Sequence, residues 1–197
     1  MPANDLPTLE FPDPAAWERW LGANHESSAG VWLKIARKGS GAATVTYAEA
    51  LAEALCCGWI DGQKAPCDET YWLQRFTPRG PRSKWSEVNR RKATELIEQG
   101  RMRPAGVAQI DAAKNDGRWD AAYASQRTVT VPDDFQRALD ASPDANAFFA
   151  TLKSSERYSF LYRIHDAKRP ETRARRIRDY VAMLAAHKTI HGRAGGD

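Results

Sequence analysis

Long apolar runs are missing from this chain. No stretch approaches the roughly 18 consecutive apolar residues that a membrane-spanning helix needs. The opening MPANDLPTLEFPDP has neither a basic n-region nor a continuous apolar stretch, so it does not read as a secretory signal. Cysteine is scarce: there are three, an odd number, and two of them, Cys56 and Cys57, are adjacent. That excludes a disulfide framework and points to a reducing, cytoplasmic setting. The three thiols, with Cys67 the third, match no usual zinc spacing and have no evident fourth ligand. The four histidines, at positions 25, 165, 187 and 191, are too scattered to suggest a triad or a metal site. No internal repeat or long low-complexity tract is visible.

What remains is ordinary for a soluble globular protein: 197 residues, 42% apolar and 27% charged, with a formal net charge of +4. A chain of this size buries a core without staples, in one or two domains. Residues 1–12 are rich in proline and polar groups and read as a flexible leader. Asp13-Pro14 is a cap followed by a first-turn proline, and Trp17, Trp20 and Leu21 lie on one helical face. The alternation in VWLKIARKG (31–39) predicts a strand with Val31, Leu33 and Ile35 on one side. Thr46 and Glu49 form a capping box for a helix that carries Ala48, Leu51, Ala52, Leu55 and Cys56 and ends at Gly58. Two short strands follow, 58–64 and 70–77, joined by a turn around Pro66-Cys67-Asp68. Ser83 is then the candidate cap of a helix with Trp85, Val88, Leu96 and Ile97 on a common face. Pro104 opens another helix that carries Val107 and Ile110.

After Pro132 the pattern is helical throughout, with segments at 133–140, 143–152, 155–168 and 170–187. Their core would be Phe135, Leu139, Phe148, Phe149, Leu152, Phe160, Leu161, Ile164, Ile177, Tyr180, Val181 and Leu184. The expected fold class is therefore α+β: a small antiparallel sheet of about three strands with packed helices, then a compact all-helical C-terminal unit. The expected division is a leader at 1–12, an α+β domain at 13–130, a helical unit at 131–188 and a disordered tail at 189–197.

Several segments, taken in this order, resemble the YdeI/OmpD-associated family, also labelled bacteriocin-protection proteins. They are WLKIARKGSG (32–41), YAEALAEALCCGWIDG (47–62), RFTPRGPRSKWSEVN (75–89), GRMRPAG (100–106) and YSFLYRIHDAKRPETRARRI (158–177). The resemblance runs from about Trp32 to Ala186. Cys57 departs from it where a large aromatic is expected, and Gly80 where a basic residue is. It implies a bacterial α+β protein whose last third is the helical unit that defines the family. It implies no established enzymatic activity, catalytic set or cofactor. The family name suggests a link to porins or to protection against antimicrobial peptides. Without a secretory signal this chain is not expected to meet an outer-membrane porin.

The chemistry-bearing stretch is 58–89. Seven basic residues fall between Arg75 and Lys92 against one acid, Glu87, and three tryptophans are interleaved nearby. Arg75, Arg79 and Arg82, with Lys84, suit a phosphate or carboxylate, and a helix N-terminus at Ser83 would add backbone donors. Equally, these cations fit a solvated surface. Asp61, with Lys64 nearby, is either an acid/base or ligand-anchoring carboxylate or a turn cap before Gly62. Trp85 and Asn89 would stack and hydrogen-bond a planar ligand, or serve the core. A second basic stripe, Arg169, Arg173 and Arg176, suits an anionic surface or the polar face of an amphipathic helix.

Three functions compete on these residues. The favoured one is a cytoplasmic binding module for an anionic ligand, either nucleic acid or a phosphorylated small molecule. The others are an enzyme that combines Asp61 with the arginine cluster, and a stress-protection protein that acts through protein contacts. No cofactor or metal is implied.

Overall fold

The computed structural model describes residues 6–192. It comprises two compact units, Met1–Ala122 and Tyr123–Asp197. In the first unit, β1 (Thr8–Leu9), α1 (Pro14–Asn24), β2 (Val31–Ala36), α2 (Tyr47–Cys56), β3 (Trp59–Pro66), β4 (Tyr71–Pro78), α3 (Glu87–Glu98) and α4 (Pro104–Asn115) follow one another. The second unit is helical: α5 (Asp133–Asp140), α6 (Pro143–Thr151), α7 (Ser154–His165) and α8 (Pro170–Ala185).

The fold is α+β, as expected, with one correction. The sheet has four strands in the order β1-β2-β4-β3 rather than three. The added strand is β1, which pairs parallel with β2 at Thr8–Trp32 and Leu9–Leu33. Two residues bounded by prolines carry too little pattern to announce a strand. Residues 6–12 of the expected leader are thereby part of the sheet and its surroundings, and Phe11 packs 5.3 Å from Trp17; residues 1–5 lie outside the described chain.

Local chemistry explains the helix starts. Asp13 Oδ1 accepts from the Ala16 N–H at 2.7 Å, ahead of Pro14. Thr46 and Glu49 close their capping box, which holds the Glu49 carboxyl below its ordinary range through the bonds from Thr46. Gly58 ends the α2 turn at φ +74, where a side chain would meet the Ala105 carbonyl at 2.8 Å.

The α3 start differs from expectation. Ser86, not Ser83, caps it, accepting from the Asn89 N–H at 3.1 Å. Ser83 is committed to a tight turn, its hydroxyl accepting from the Gly80 N–H at 3.0 Å. The buried face is Asn89, Ala93 and Leu96; Val88 and Ile97, expected on a common face, are 42% and 43% exposed, because nine residues along a helix put them on opposite sides. In α4, Ile110 is buried and Val107 is not.

One core joins α1 and α2 to the inner sheet face: Trp17, Leu21, Val31, Leu33, Ile35, Leu51, Leu55, Trp59 and Phe76 are all buried. The second unit has its own core. Of the twelve residues expected there, Phe148 and Val181 are only partly buried and the rest are buried. Arg173 forks onto Asp134, Nε to Oδ2 at 2.6 Å and Nη2 to Oδ1 at 2.8 Å, and fastens α8 to α5. At the chain's end, Thr189 bridges to Gly192; the rest of the expected disordered tail, 193–197, lies outside the described chain.

Candidate functional site

The site begins with an irregularity in the sheet. Asp61 pairs with Phe76 and Lys64 with Gln74, so three steps on β3 match two on β4. Side chains alternate along a strand, and residues three apart normally point to opposite faces. The extra residue is a β-bulge, which resets that parity and puts Asp61 and Lys64 on the same, inner face. A bulge frees carbonyls, and Gln74 takes them up. Its side chain is fully buried, and its Nε2 donates to the Gly62 carbonyl at 2.9 Å and to those of Arg75 and Gln63 at 3.2 and 3.3 Å.

On that face two aromatic rings and a carboxylate converge. The Tyr47 hydroxyl donates to Asp61 Oδ2 at 2.8 Å, and Asn89 Nδ2 donates to Asp61 Oδ1 at 3.3 Å. The Lys64 ammonium lies 5.3 Å from the Tyr47 ring centroid and 4.8 Å from that of Trp72. Three elements supply these groups: the first turn of α2, the bulged β3 with its partner β4, and the first turn of α3. Three of the sequence candidates, Asp61, Lys64 and Asn89, are brought together here. Tyr47 and Trp72 were missed. Tyr47 reads as the first residue of a capped helix, and Trp72 as one more strand aromatic.

Arg75 is not part of this cluster. It pairs with Trp32 in the ladder, one residue out of phase with Gln74 and Phe76, so it lies on the outer face. Asp61 and Arg75 are therefore on opposite sides of the sheet. The pairing that the enzyme reading needs is not assembled there.

The basic turn is largely committed to structure. Arg79 is 5% exposed; its guanidinium stacks 3.6 Å from the Trp85 ring, and Nη1 donates to the Lys84 carbonyl at 3.2 Å. Trp85 is buried against Trp119, with ring centroids 4.8 Å apart, and the Ser83 carbonyl accepts from Arg118 Nη1 at 2.8 Å. Arg82 is exposed. The N-terminus of α3, expected to be an anion cradle, is filled by its own Ser86 cap and the first-turn Glu87.

In the second unit the basic stripe is divided. Arg173 is held by Asp134 and the Ile164 carbonyl, Arg176 donates to the Arg163 carbonyl, and Arg169 is exposed at the helix start. Cys56 and Cys57 are buried and Cys67 is exposed. Burial pushes the Cys56 thiol up to about 11, which keeps it protonated at neutral pH and unsuited to nucleophilic work. Among the described residues no cluster of His, Cys, Asp or Glu is arranged to hold a metal ion. No helix among them is long and apolar enough to cross a membrane.

Comparison with known families divides the chain in two. Residues 9–109 match a family described as a domain of unknown function, DUF8412. Residues 128–187 match the family described as bacteriocin-protection, YdeI or OmpD-associated. Nothing matches among curated proteins or among solved structures.

Proposed function

We propose a binding function for this chain, which belongs to the DUF8412 family over residues 9–109 and carries a bacteriocin-protection, YdeI or OmpD-associated domain over residues 128–187. Its ligand is an anionic partner, and the strand backbone of a nucleic acid suits the surface best. The observation that carries this reading is Arg75. Its Nε is buried without a hydrogen-bond partner, and its one described side-chain bond is a long one, Nη1 to Gln63 Oε1 at 3.4 Å. An under-satisfied guanidinium costs free energy unless something completes it, and phosphate oxygens match its fork. Trp32 lies directly across the ladder from Arg75, and Lys34 follows on the same outer face. Aromatic rings interleaved with cations on an open sheet face are what a single strand stacks and neutralises against. The favourable charge is moderated, since Lys34 also pairs with Glu10 at 3.6 Å. A cytoplasmic setting is consistent with three free cysteines.

The test is fluorescence anisotropy of a labelled single-stranded oligonucleotide against the full chain across a salt series. Affinity should fall linearly on logarithmic axes, and Arg75→Gln should reduce the slope by about 0.7, one phosphate's worth. Trp32→Leu should weaken binding by about 1–3 kcal/mol without changing the slope. A salt-independent affinity, or an Arg75→Gln variant that binds as the parent does, refutes the reading.

The match over residues 128–187 favours a second reading, protection through protein contacts. The large apolar side chains exposed among the described residues are Val88, Ile97 and Val107, all on α3 and α4 and none in the second unit. Val88 and Ile97 lie on opposite sides of α3 by helical geometry, so they do not build one docking patch. Co-purification of a stoichiometric protein partner with the second unit's surface as its footprint would raise this reading above the first.

A further inference from the structure

We infer that the notch between Tyr47 and Trp72 is a binding site for a small organic ammonium ion, and that Lys64 is its built-in competitor. The two ring centroids are 6.1 Å apart and their planes tilt by 48°. The Lys64 ammonium sits within about 6 Å of both faces, the range in which a ring quadrupole attracts a cation. The notch is thus already selecting a cation, supplied by the chain itself.

A carboxylate completes the site. Each Asp61 oxygen receives one hydrogen bond, from Tyr47 or Asn89, and both donors are neutral. A carboxylate offers about four acceptor positions, so each oxygen has one left, and its charge has no ion-pair partner among the described residues. Tyr47 ties the two halves together: its ring forms one wall of the notch while its hydroxyl holds the carboxylate beside it. The ligand class follows. Anions are repelled by the ring faces and by Asp61. A compact ammonium needs only the two faces and a nearby negative charge.

Lys64 is exposed, on a flexible stem that can leave the notch. While it occupies the notch, it lowers the apparent affinity for any external ammonium by the fraction of time the site is filled. The Gln74-supported bulge is what delivers it there.

The test uses choline as probe with the isotope-labelled full chain, following the Trp72 indole N–H, assigned by its absence in Trp72→Phe. Choline should shift this signal, and Lys64→Ala should bind it about tenfold more tightly than the parent. Lys64→Ser should behave the same, so that the gain reports the vacated notch and not one substitution. Adding Asp61→Asn to Lys64→Ala should lose that tenfold again, and dimethylbutanol, the neutral isostere of choline, should not bind. Equal choline affinity in the parent and both Lys64 variants overturns the inference. So does an Asp61→Asn change that leaves affinity intact, or a neutral alcohol that binds as well as choline.

Discussion

Alanine at Gly106 sets two well-calibrated effects against each other. Gly106 lies in the second half-turn of α4, where helix propensity alone would reward alanine by about 1 kcal/mol. The surroundings say otherwise. A Cβ there would overlap the Cys56 carbonyl oxygen and Met102 Sδ and would lie 2.9 Å from the Leu55 carbonyl oxygen. Met102 Sδ can swing away; two backbone carbonyls at the end of α2 cannot. The Arg103 N–H also donates to the Cys56 carbonyl at 3.1 Å, so α4 cannot retreat without giving up that bond. Overpacking costs about 1–3 kcal/mol and a strained or lost hydrogen bond about 1 kcal/mol more, which outweighs the propensity gain. The expected net loss is about 2 kcal/mol. Gly22 in α1 is the control. Its Cβ would meet only Arg103 Nη1, at 3.1 Å. That group is the mobile tip of a side chain paired with a half-exposed Glu18, an interaction worth at most about 1 kcal/mol. Gly22→Ala should therefore stabilise, by about 0.5 kcal/mol. Both changes are read by urea unfolding followed through tryptophan fluorescence, because all seven tryptophans fall in the first unit. With a slope of about 2 kcal/mol/M, Gly106→Ala should lower the midpoint by about 1 M. A neutral or stabilised Gly106→Ala, or a Gly22→Ala as damaging as it, would refute the reasoning.

Asp134→Asn should cost the second unit about 1 kcal/mol, since the pair with Arg173 is charge-assisted but its carboxylate is partly exposed. The Arg173 guanidinium holds the Asp134 carboxyl below its ordinary range. Its stabilisation is therefore present above about pH 4 and is lost as pH falls through the lowered value. Hydrogen exchange of α5 and α8 amides should lose protection in acid in the parent and change less in the variant. Gln74→Leu strands the Gly62 and Gln63 carbonyls and should destabilise the first unit by about 2 kcal/mol in the same urea assay, with loss of the upfield-shifted Lys64 methylene signals that ring stacking produces. An impermeant thiol reagent should modify Cys67 alone in the native chain and all three cysteines after unfolding; rapid native labelling of Cys56 or Cys57 would contradict their burial.

Much of the fold is written in short-range chemistry. Asp13-Pro14 and the Thr46–Glu49 box each announce a helix because the capping groups are local and unambiguous. The second unit's core follows from a 3.6-residue apolar period that tertiary contacts do not override. What escaped was decided at a distance. Ser83 and Ser86 are equally good caps in isolation, and the choice falls to the side chain between them that must be buried, Trp85, packed on Trp119 thirty-four residues later by sequence. The run of basic residues reads as one cluster because linear proximity is all a sequence offers. Arg75 stands on the outer face of β4, whereas Arg79 lies just past that strand's end and is buried against Trp85.

The bulge shows how far one such decision reaches. Asp61 and Arg75 occupy adjacent rungs of the β3–β4 ladder, since Asp61 pairs with Phe76. Had they shared a face, cross-strand attraction would have joined them, and neither would have been left for a ligand. The pleat keeps them apart and leaves a carboxylate inside and a guanidinium outside without each other. Lys64, three residues beyond Asp61, would by simple alternation join Arg75 on the outer face and strengthen a basic surface there. The extra residue at 62–63, held by Gln74, turns it inward instead, over Tyr47 and Trp72. Deleting Gln63 would not undo this, since Asp61, Gly62 and Lys64 would then pair in turn with Phe76, Arg75 and Gln74 and leave Lys64 inside. Exchanging the two residues, Gln63→Lys with Lys64→Gln, should instead do two things at once: vacate the aromatic notch and add a cation beside Arg75, whose Nη1 lies 3.4 Å from the Gln63 side chain. The exchange should tighten choline binding and steepen the salt dependence of oligonucleotide binding together, whereas the deletion should leave choline binding as in the parent; any other pattern would show that the register at 63–64 does not set the two faces.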